Sequence, residues 1–324
     1  MMKEIRIGVI GTGNMGRNHV RNLAEEKRFQ LVGVYDIDKN QAYETAEKYG
    51  VKMYEDMEQL LKDIDAVVIA VPSYLHKEIG LKAAEYNVHA LIEKPLATTA
   101  KDANEIVKAF KERELKLAVG HIERFNPVFM ELHKLVKTEN IIYIEAHRYS
   151  PFSGSGRITD TSVVEDLMIH DIDLVCSLME ESKIKTIKGY GEVVRSKGQA
   201  DFSTCVLEFE TNAHAIINAS RISQNKDRTI EIHTTDSYIF ADLVAKTLCV
   251  SKNTDLTIDL TRDDSYKQDG IVQKIYVPIQ EPLRAELIAF YEAIINNSVI
   301  LVDGRVGVRA IEICEEVVKQ ITLS

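Results

Sequence analysis

The chain has 324 residues, of which 45% are hydrophobic and 28% charged, and its formal net charge is −10. That length suits about two domains rather than one core. The acidic balance argues against a nucleic-acid partner, whose phosphates favour a basic face, but leaves room for a local basic pocket that takes a small anion.

In chain order, short apolar runs first alternate with amphipathic stretches. Ile5–Ile10, Leu31–Tyr35, Ala66–Val71, Val88–Ile92 and Leu117–Val119 read as strands. Met15–Glu25, Lys39–Lys48, Leu75–Glu85 and Thr99–Lys111 read as helices between them. Nearly continuous apolar strands alternating with helices predict a parallel sheet covered on both faces, a doubly wound α/β domain. The longest clean apolar run, Ala66–Pro72, is far too short to cross a bilayer. No secretory apolar region precedes the first strand. The four cysteines, Cys176, Cys205, Cys249 and Cys314, have no metal-ligand spacing. They read as free thiols in a reducing compartment, so the expectation is a cytoplasmic protein without a membrane partner.

After Gly120 the rhythm changes. A helical stretch, Glu123–Val136, leads to a strand at Ile141–Tyr149 and a Ser/Gly-rich loop, SPFSGSGRITD. A very apolar helix spans Ser162–Met179. Strands then follow one another at Thr186–Val193, Phe202–Glu210, Ala213–Ser220 and Thr229–Thr234, with others to about Val277. Helices at Pro282–Asn296 and Arg305–Ile321 close the chain. Strands in succession with helices set apart predict an α+β domain with a mostly antiparallel sheet.

The first strand ends in Gly11-x-Gly13-x-x-Gly16 and a helix opens there, the context that a dinucleotide cradle needs. The first glycine allows the tight turn, the second lets backbone approach a pyrophosphate, and the third lets helix pack close to strand. The anion would sit on free N–H groups at the helix N-terminus, where Asn14 and Met15 stand. Asp36 ends the second strand, where a carboxylate suits the ribose 2′-hydroxyl of NAD and repels the 2′-phosphate of NADP. Only Lys39 follows closely as a cation, so NAD is expected ahead of NADP. The alternative is a glycine turn without a ligand.

Ligands of such sheets bind beyond the carboxyl ends of the strands. Pro72, Ser73 and His76 follow the third of these strands, and Glu93, Lys94 and Pro95 follow the fourth. A Glu-Lys pair at a strand end just before proline is odd as mere surface; a loop salt pair is the alternative. On the Ser162–Met179 helix, Asp166, His170 and Asp173 stand at i, i+4 and i+7, one polar stripe on an otherwise apolar helix. A carboxylate one turn before a histidine orients the ring and raises its basicity, which suits a general base. A structural Asp–His hydrogen bond is the alternative. No metal is expected: neighbours His170 and Asp171 point about 100° apart on a helix and cannot readily share an ion, and Asp166 with His170 could share one only with further ligands from elsewhere.

Gly11–Gly16, Glu93-Lys94-Pro95 and DLMIHDIDL (Asp166–Leu174) together make the whole chain resemble the Gfo/Idh/MocA oxidoreductases. The resemblance implies a Rossmann domain over 1–121. It implies a substrate and oligomerisation domain over 122–324, on a large open sheet that often builds homodimers or homotetramers. It implies NAD(P)-dependent oxidation or reduction of sugar-like alcohols. By position, Lys94 is expected near the nicotinamide ribose and the reacting hydroxyl, with Glu93 placing it. His170 is the implied acid/base, and Asp166 contacts substrate or supports His170. Pro72, Ser73 and His76 match a loop beside the nicotinamide that usually reads Thr-Pro-Asn-x-x-His, from which Val71 and Ser73 depart.

GHIERFNP (Gly120–Pro127) and EDLMIHDIDL resemble a subgroup that acts on UDP-N-acetylglucosamine and related UDP-sugars. Arg148 and Arg157 flank the Ser/Gly loop, and guanidiniums grip phosphates bidentately. Arg124 and Arg221 are further substrate candidates; ordinary surface or interface arginines are the alternative. An inositol or simple sugar dehydrogenase is the rival enzyme. A cofactor-binding regulator is the rival of another class, and it would be expected to lack Lys94 or His170.

Overall fold

The computed structural model describes residues 4–136, 140–152, 161–180, 182–196, 198–253 and 270–323. The chain divides into two compact units, Met1–Phe125 with Gln280–Glu315, and Asn126–Ile279 with Glu316–Ser324.

The first unit holds a parallel sheet of β1 (Ile5–Ile10), β2 (Phe29–Tyr35), β3 (Lys52–Met53), β4 (Ala66–Ile69), β5 (His89–Glu93) and β6 (Leu117–Gly120). The order β3-β2-β1-β4-β5-β6 reverses direction between β1 and β4, the switch point where such sheets take ligands. All four residues of β4 are buried, as are those of β6, as strands covered on both faces require. The helices α1 (Asn14–Glu25), α2 (Lys39–Tyr49), α3 (Met57–Asp63), α4 (His76–Glu85) and α5 (Ala100–Glu112) make the crossovers. Their starts are chemically marked. Asp38 accepts from the Asn40 and Gln41 amides at 3.1 and 3.2 Å, and Thr99 accepts from Asp102 N–H at 3.1 Å.

The second unit opens with α6 (Pro127–Val136) and β7 (Ile141–Pro151), then α7 (Ile169–Leu178) after a π-helical turn at Val164–Met168. The strands β8 (Ile184–Glu192), β9 (Phe202–Phe209), β10 (His214–Ser223), β11 (Asp227–Thr234), β12 (Tyr238–Asp242), β13 (Thr247–Asn253) and β14 (Gly270–Lys274) follow. They form a sheet ordered β14-β13-β12-β11-β7-β10-β9-β8, antiparallel except between β7 and β10. Period-two alternation sorts its faces. Ile144, Ala146, Ala215, Ile217, Ala219, Cys205 and Leu207 are buried on one face. Tyr143, Glu145, His147, Tyr149, Glu231 and Tyr238 stand half-buried on the other, tied by Tyr143–Glu145 (3.0 Å), His147–Tyr149 (2.8 Å) and Tyr238–Glu231 (2.7 Å) hydrogen bonds.

The closing helices α8 (Pro282–Ile295) and α9 (Gly304–Leu323) depart from the expected boundary. The expectation assigned all of 122–324 to one domain, yet Gln280–Glu315 belongs to the first unit. The reason is apolar burial. Leu287, Phe290 and Tyr291 join the core on the β1–α1 side, and Ala285, Val302, Val308 and Ile311 join the core on the other. Tyr291 meets Phe29 edge-on at 5.6 Å, and Arg284 reaches Glu26 of the α1 turn at 3.0 Å. At the open edge of β6, the Val119 amide donates to the Val302 carbonyl at 3.0 Å. Phe290→Ala is therefore expected to destabilise the first unit by about 3–5 kcal/mol in urea unfolding, as for a large core side chain; a change near zero would place α8 outside that core.

Candidate active site

The glycine loop is built as the spacing requires. Gly11 has φ +93°, and a Cβ there would lie 2.5 Å from the Ala70 carbonyl at the end of β4. A Cβ on Gly16 would lie 1.8 Å from the Gly11 carbonyl, so α1 seats against β1 only with glycine at this position. Gly13 is different: a Cβ on it would meet nothing within 4 Å. Its openness is on the ligand side of the turn, not in the packing. Gly13 is also the N-cap of α1 and supplies no side-chain cap, so the first amides of the helix, including Asn14 and Met15, keep their donors for an anion.

Asp36 is fixed beside this loop. Its Oδ2 accepts from the Thr12 N–H at 2.6 Å and the Thr12 hydroxyl at 3.0 Å, and its Oδ1 accepts from Asp38 N–H at 2.9 Å. Thr12 is fully buried, so the carboxylate is positioned before any ribose arrives. Lys39 is drawn away: its Nζ donates to the Glu55 carbonyl at 2.7 Å and pairs with the Glu55 carboxylate at 3.4 Å. These residues fit NAD, with a carboxylate for the 2′-hydroxyl and the neighbouring cation engaged elsewhere.

Two loops leave the same sheet end. Pro72 is exposed, and Ser73 begins a single 3₁₀ turn, Ser73–Leu75. His76 is buried, with Nδ1 2.8 Å from the Pro95 carbonyl and Nε2 2.9 Å from the Val71 carbonyl. Its ring therefore ties the β4 loop to the β5 loop, and neither nitrogen is open to a ligand. Burial pushes its imidazole below the usual value, against the pull of both carbonyls. The expectation of a direct cofactor contact from this side chain becomes a bracing role. Glu93 ends β5, with Oε1 2.8 Å from His19 Nε2 on α1. Lys94 follows at intermediate exposure, and the Lys94–Pro95 bond is cis.

In the second unit, the Ser162–Met179 segment is apolar and buried as expected, with Val163, Val164, Met168, Ile169, Ile172, Leu174 and Val175 inside. It starts with a box-like cap, the Val164 amide donating to Ser162 Oγ and the Ser162 amide to Glu165 Oε2, both at 3.3 Å. Asp166 lies in the π turn and His170 in the first turn of α7. Four residues turn about 330° in a π turn and 400° in an α-helix, so either geometry keeps Asp166 and His170 on one side. Both are partly exposed, whereas Asp173, the third member of the stripe, is buried.

Arg148 is corrected. It was expected to face a phosphate, but it is 1% exposed and pairs bidentately with Asp171, Nε to Oδ2 at 2.6 Å and Nη2 to Oδ1 at 2.9 Å. It occupies the inward face of β7 with Ile144 and Ala146, where α7 covers it. Arg221 is likewise committed, with Nε 2.8 Å from Asp201 Oδ1 and Nη1 2.7 Å from the Thr161 carbonyl. Burial would push the Asp201 carboxyl up, but Ser196, the 195 and 196 amides and Arg221 hold it well below the usual range. Arg124 sits buried in a 3₁₀ turn, Ile122–Phe125, and Arg157 lies outside the described residues. Among the described residues no group of three or more His, Cys, Asp or Glu could hold a metal ion.

The residues not anticipated are Thr12, His19 and Glu286. His19 had a signal: it shares the buried stripe of α1 with Gly16, Val20 and Leu23, where an imidazole is out of place.

Glycine cradle, poised carboxylate and Glu-Lys-Pro strand end define a nicotinamide-dependent oxidoreductase. Residues 5–121 match the model described as "Oxidoreductase family, NAD-binding Rossmann fold", and residues 140–240 match the GFO/IDH/MocA C-terminal domain. The chain belongs to the Gfo/Idh/MocA family and is an NAD-dependent oxidoreductase. It is 30% identical over 310 residues to UDP-N-acetylglucosamine 3-dehydrogenase of Acidithiobacillus ferrooxidans, covering 96% of this chain and 95% of that one. It is 28% identical to myo-inositol 2-dehydrogenase of Thermotoga maritima, over 76% of this chain and 78% of that one. A solved structure of the A. ferrooxidans enzyme superposes with a TM-score of 0.90 at 28% identity, covering 99% of each chain.

Gly13→Ala separates a ligand cradle from a bare turn. It is expected to leave the melting temperature of the ligand-free protein within about a degree, since the Cβ meets no atom, but to weaken NADH binding by at least about tenfold by fluorescence titration. Unchanged NADH affinity would leave the loop without its assigned ligand.

Proposed function

We propose that this chain moves a hydride between NAD(H) and a ring carbon bearing a hydroxyl on a UDP-N-acetylhexosamine. The observation that carries this is the extent of the match. The relative named for UDP-N-acetylglucosamine spans both units of the chain, whereas the inositol relative spans three quarters of it.

The bound nicotinamide supplies the hydride acceptor or donor. The chain's own residues do the rest. The free amides at the start of α1 hold the pyrophosphate, and Asp36 holds the adenosine ribose. Lys94 polarises the reacting oxygen with its ammonium, and His170 takes the hydroxyl proton as the carbonyl forms. Asp166, on the same side of its helix, orients His170 or the substrate. In the reverse direction His170 returns the proton.

A second reading, oxidation of a polyol such as an inositol, is favoured by one observation. Two of the arginines expected to meet a diphosphate, Arg148 and Arg221, are committed to buried carboxylates. Of the other two phosphate candidates of the first reading, Arg124 is buried in its turn and Arg157 lies outside the described residues. A second copy of this chain, as a homodimer or homotetramer, is the proposed partner for the half-exposed face of the second unit's sheet. No helix among the described residues is long and apolar enough to cross a membrane. No disulfide joins Cys176, Cys205, Cys249 or Cys314, which supports a reducing, cytoplasmic setting.

The test is NAD reduction on titration with UDP-N-acetylglucosamine, UDP-N-acetylgalactosamine, myo-inositol and glucose. Turnover with a UDP-sugar alone is expected; turnover with inositol alone would replace the first reading by the second. Lys94→Ala and His170→Ala are each expected to lower kcat at least about a hundredfold; His170→Ala keeps its NADH affinity, and Lys94→Ala, which loses a group beside the nicotinamide ribose, binds NADH measurably but more weakly. Wild-type rates in both would overturn the roles given to them.

A further inference from the structure

The first unit buries a carboxyl that the chemistry above does not use. Glu286 lies on α8 between Leu283, Leu287 and Phe290, is 2% exposed, and neither of its oxygens has a hydrogen-bond partner among the described residues. Its helix neighbours Glu281 and Arg284 turn elsewhere, toward Asn22 at 3.1 Å and Glu26 at 3.0 Å on the α1 side. α8 packs against α1, which carries His19, and against the turn after β6, the strand that pairs with Glu93, the residue before Lys94, and the charge of Glu93 acts on Glu286. Glu93 is buried too, with one oxygen 2.8 Å from His19 Nε2 and the other so near β6 that a Cβ on Gly120 would lie 3.0 Å from it.

Two carboxylates cannot both be ionised in one apolar space. Glu286, buried and with no hydrogen-bond partner on either oxygen among the described residues, is the group that keeps the proton. We propose that Glu286 is a positioning residue, whose neutral carboxyl backs the Glu93–His19 pair and so fixes the strand end that carries Lys94. The inference rests on the role given to Lys94. The titratable groups carried by the neighbouring elements are His19 on α1 and Glu123 and Arg124 on the turn after β6, both packed against α8, with His121 just before that turn and Glu93 and Lys94 at the end of β5 beside β6.

Burial, and then the charge of Glu93, hold the Glu286 carboxyl well above the usual range. An unfolded chain ionises Glu286 near the ordinary carboxyl value. Above that pH the native state binds the extra proton and the unfolded state does not. The stability that this group contributes is therefore full below the ordinary value and drains away as pH rises through the native one. Ionised Glu286 would repel Glu93 and loosen the strand end.

The measurement is the melting temperature of the ligand-free protein from pH 5.5 to 9, with NADH affinity at each pH, for wild type, Glu286→Gln and Glu286→Ala. Glutamine keeps size and neutrality at every pH. Wild type is expected to lose melting temperature with rising pH relative to Glu286→Gln. NADH affinity is expected to fall at alkaline pH in wild type but not in the glutamine variant. Glu286→Ala is expected to bind NADH at least about tenfold more weakly, and glutamine to restore binding. Parallel melting curves for wild type and Glu286→Gln across the range would overturn the proposal, as would a folded Glu286→Ala with wild-type NADH affinity. None of these readings uses a substrate, so failure of the UDP-sugar assignment is distinguishable. Were Glu286→Ala not to fold, the glutamine comparison still decides.

Discussion

The close seating of α1 on the sheet is the constraint from which the site follows. The helix can start beside the switch point between β1 and β4 only where Gly16 meets the Gly11 carbonyl without a Cβ. That contact aims the uncapped amides of Asn14, Met15 and Gly16 at the sheet end. It also sets Thr12 in the turn, whose amide and hydroxyl both hold Asp36. An anion site and a ribose carboxylate are thereby built into one short turn before any ligand arrives, which lowers the ordering cost of binding.

Buried charge is then used to position rather than to bind. His19–Glu93 under the Lys94 loop, Arg148–Asp171 under α7, and Arg221–Asp201 at the foot of the same segment are all withdrawn from water. Removing one member of either arginine–carboxylate pair leaves an uncompensated charge, and removing His19 takes the hydrogen-bond partner from a buried Glu93 oxygen, so each fixes its elements in one arrangement. Arg148–Asp171 anchors the first turn of α7 to β7, and Arg221 holds the Thr161 and Ala200 carbonyls where that helical segment begins. His170 thus stands on a helix held at its start and along one side. His76 does the same work in the first unit through two carbonyls.

The Rossmann half was legible because its signals are local. Apolar runs, glycine spacing and cap residues each report on a few neighbouring positions, and Ile5–Ile10, Asp36 and the Glu93–Lys94 strand end stand where the pattern put them. The short elements β3 and α3 carry too few residues for a period to register. The return of α8 to the first unit was not legible, since an apolar helix face does not name the core that it covers. Arg148 misled for a related reason. An arginine beside a Ser/Gly loop looks exposed until the alternation of β7 is followed inward to Asp171, a residue 23 positions away. Glu286 gave a signal that was passed over, a carboxyl on the buried stripe of an amphipathic helix.

If Asp36, held by Thr12, selects NAD, the cofactor preference must follow its carboxylate. The most direct measurement is the ratio of NADH to NADPH affinities in wild type and Asp36→Ala, by fluorescence titration at fixed ionic strength. Wild type is expected to favour NADH by at least about tenfold, and the preference is expected largely to disappear in the variant. Equal affinities in wild type, or a ratio unmoved by the substitution, would contradict it.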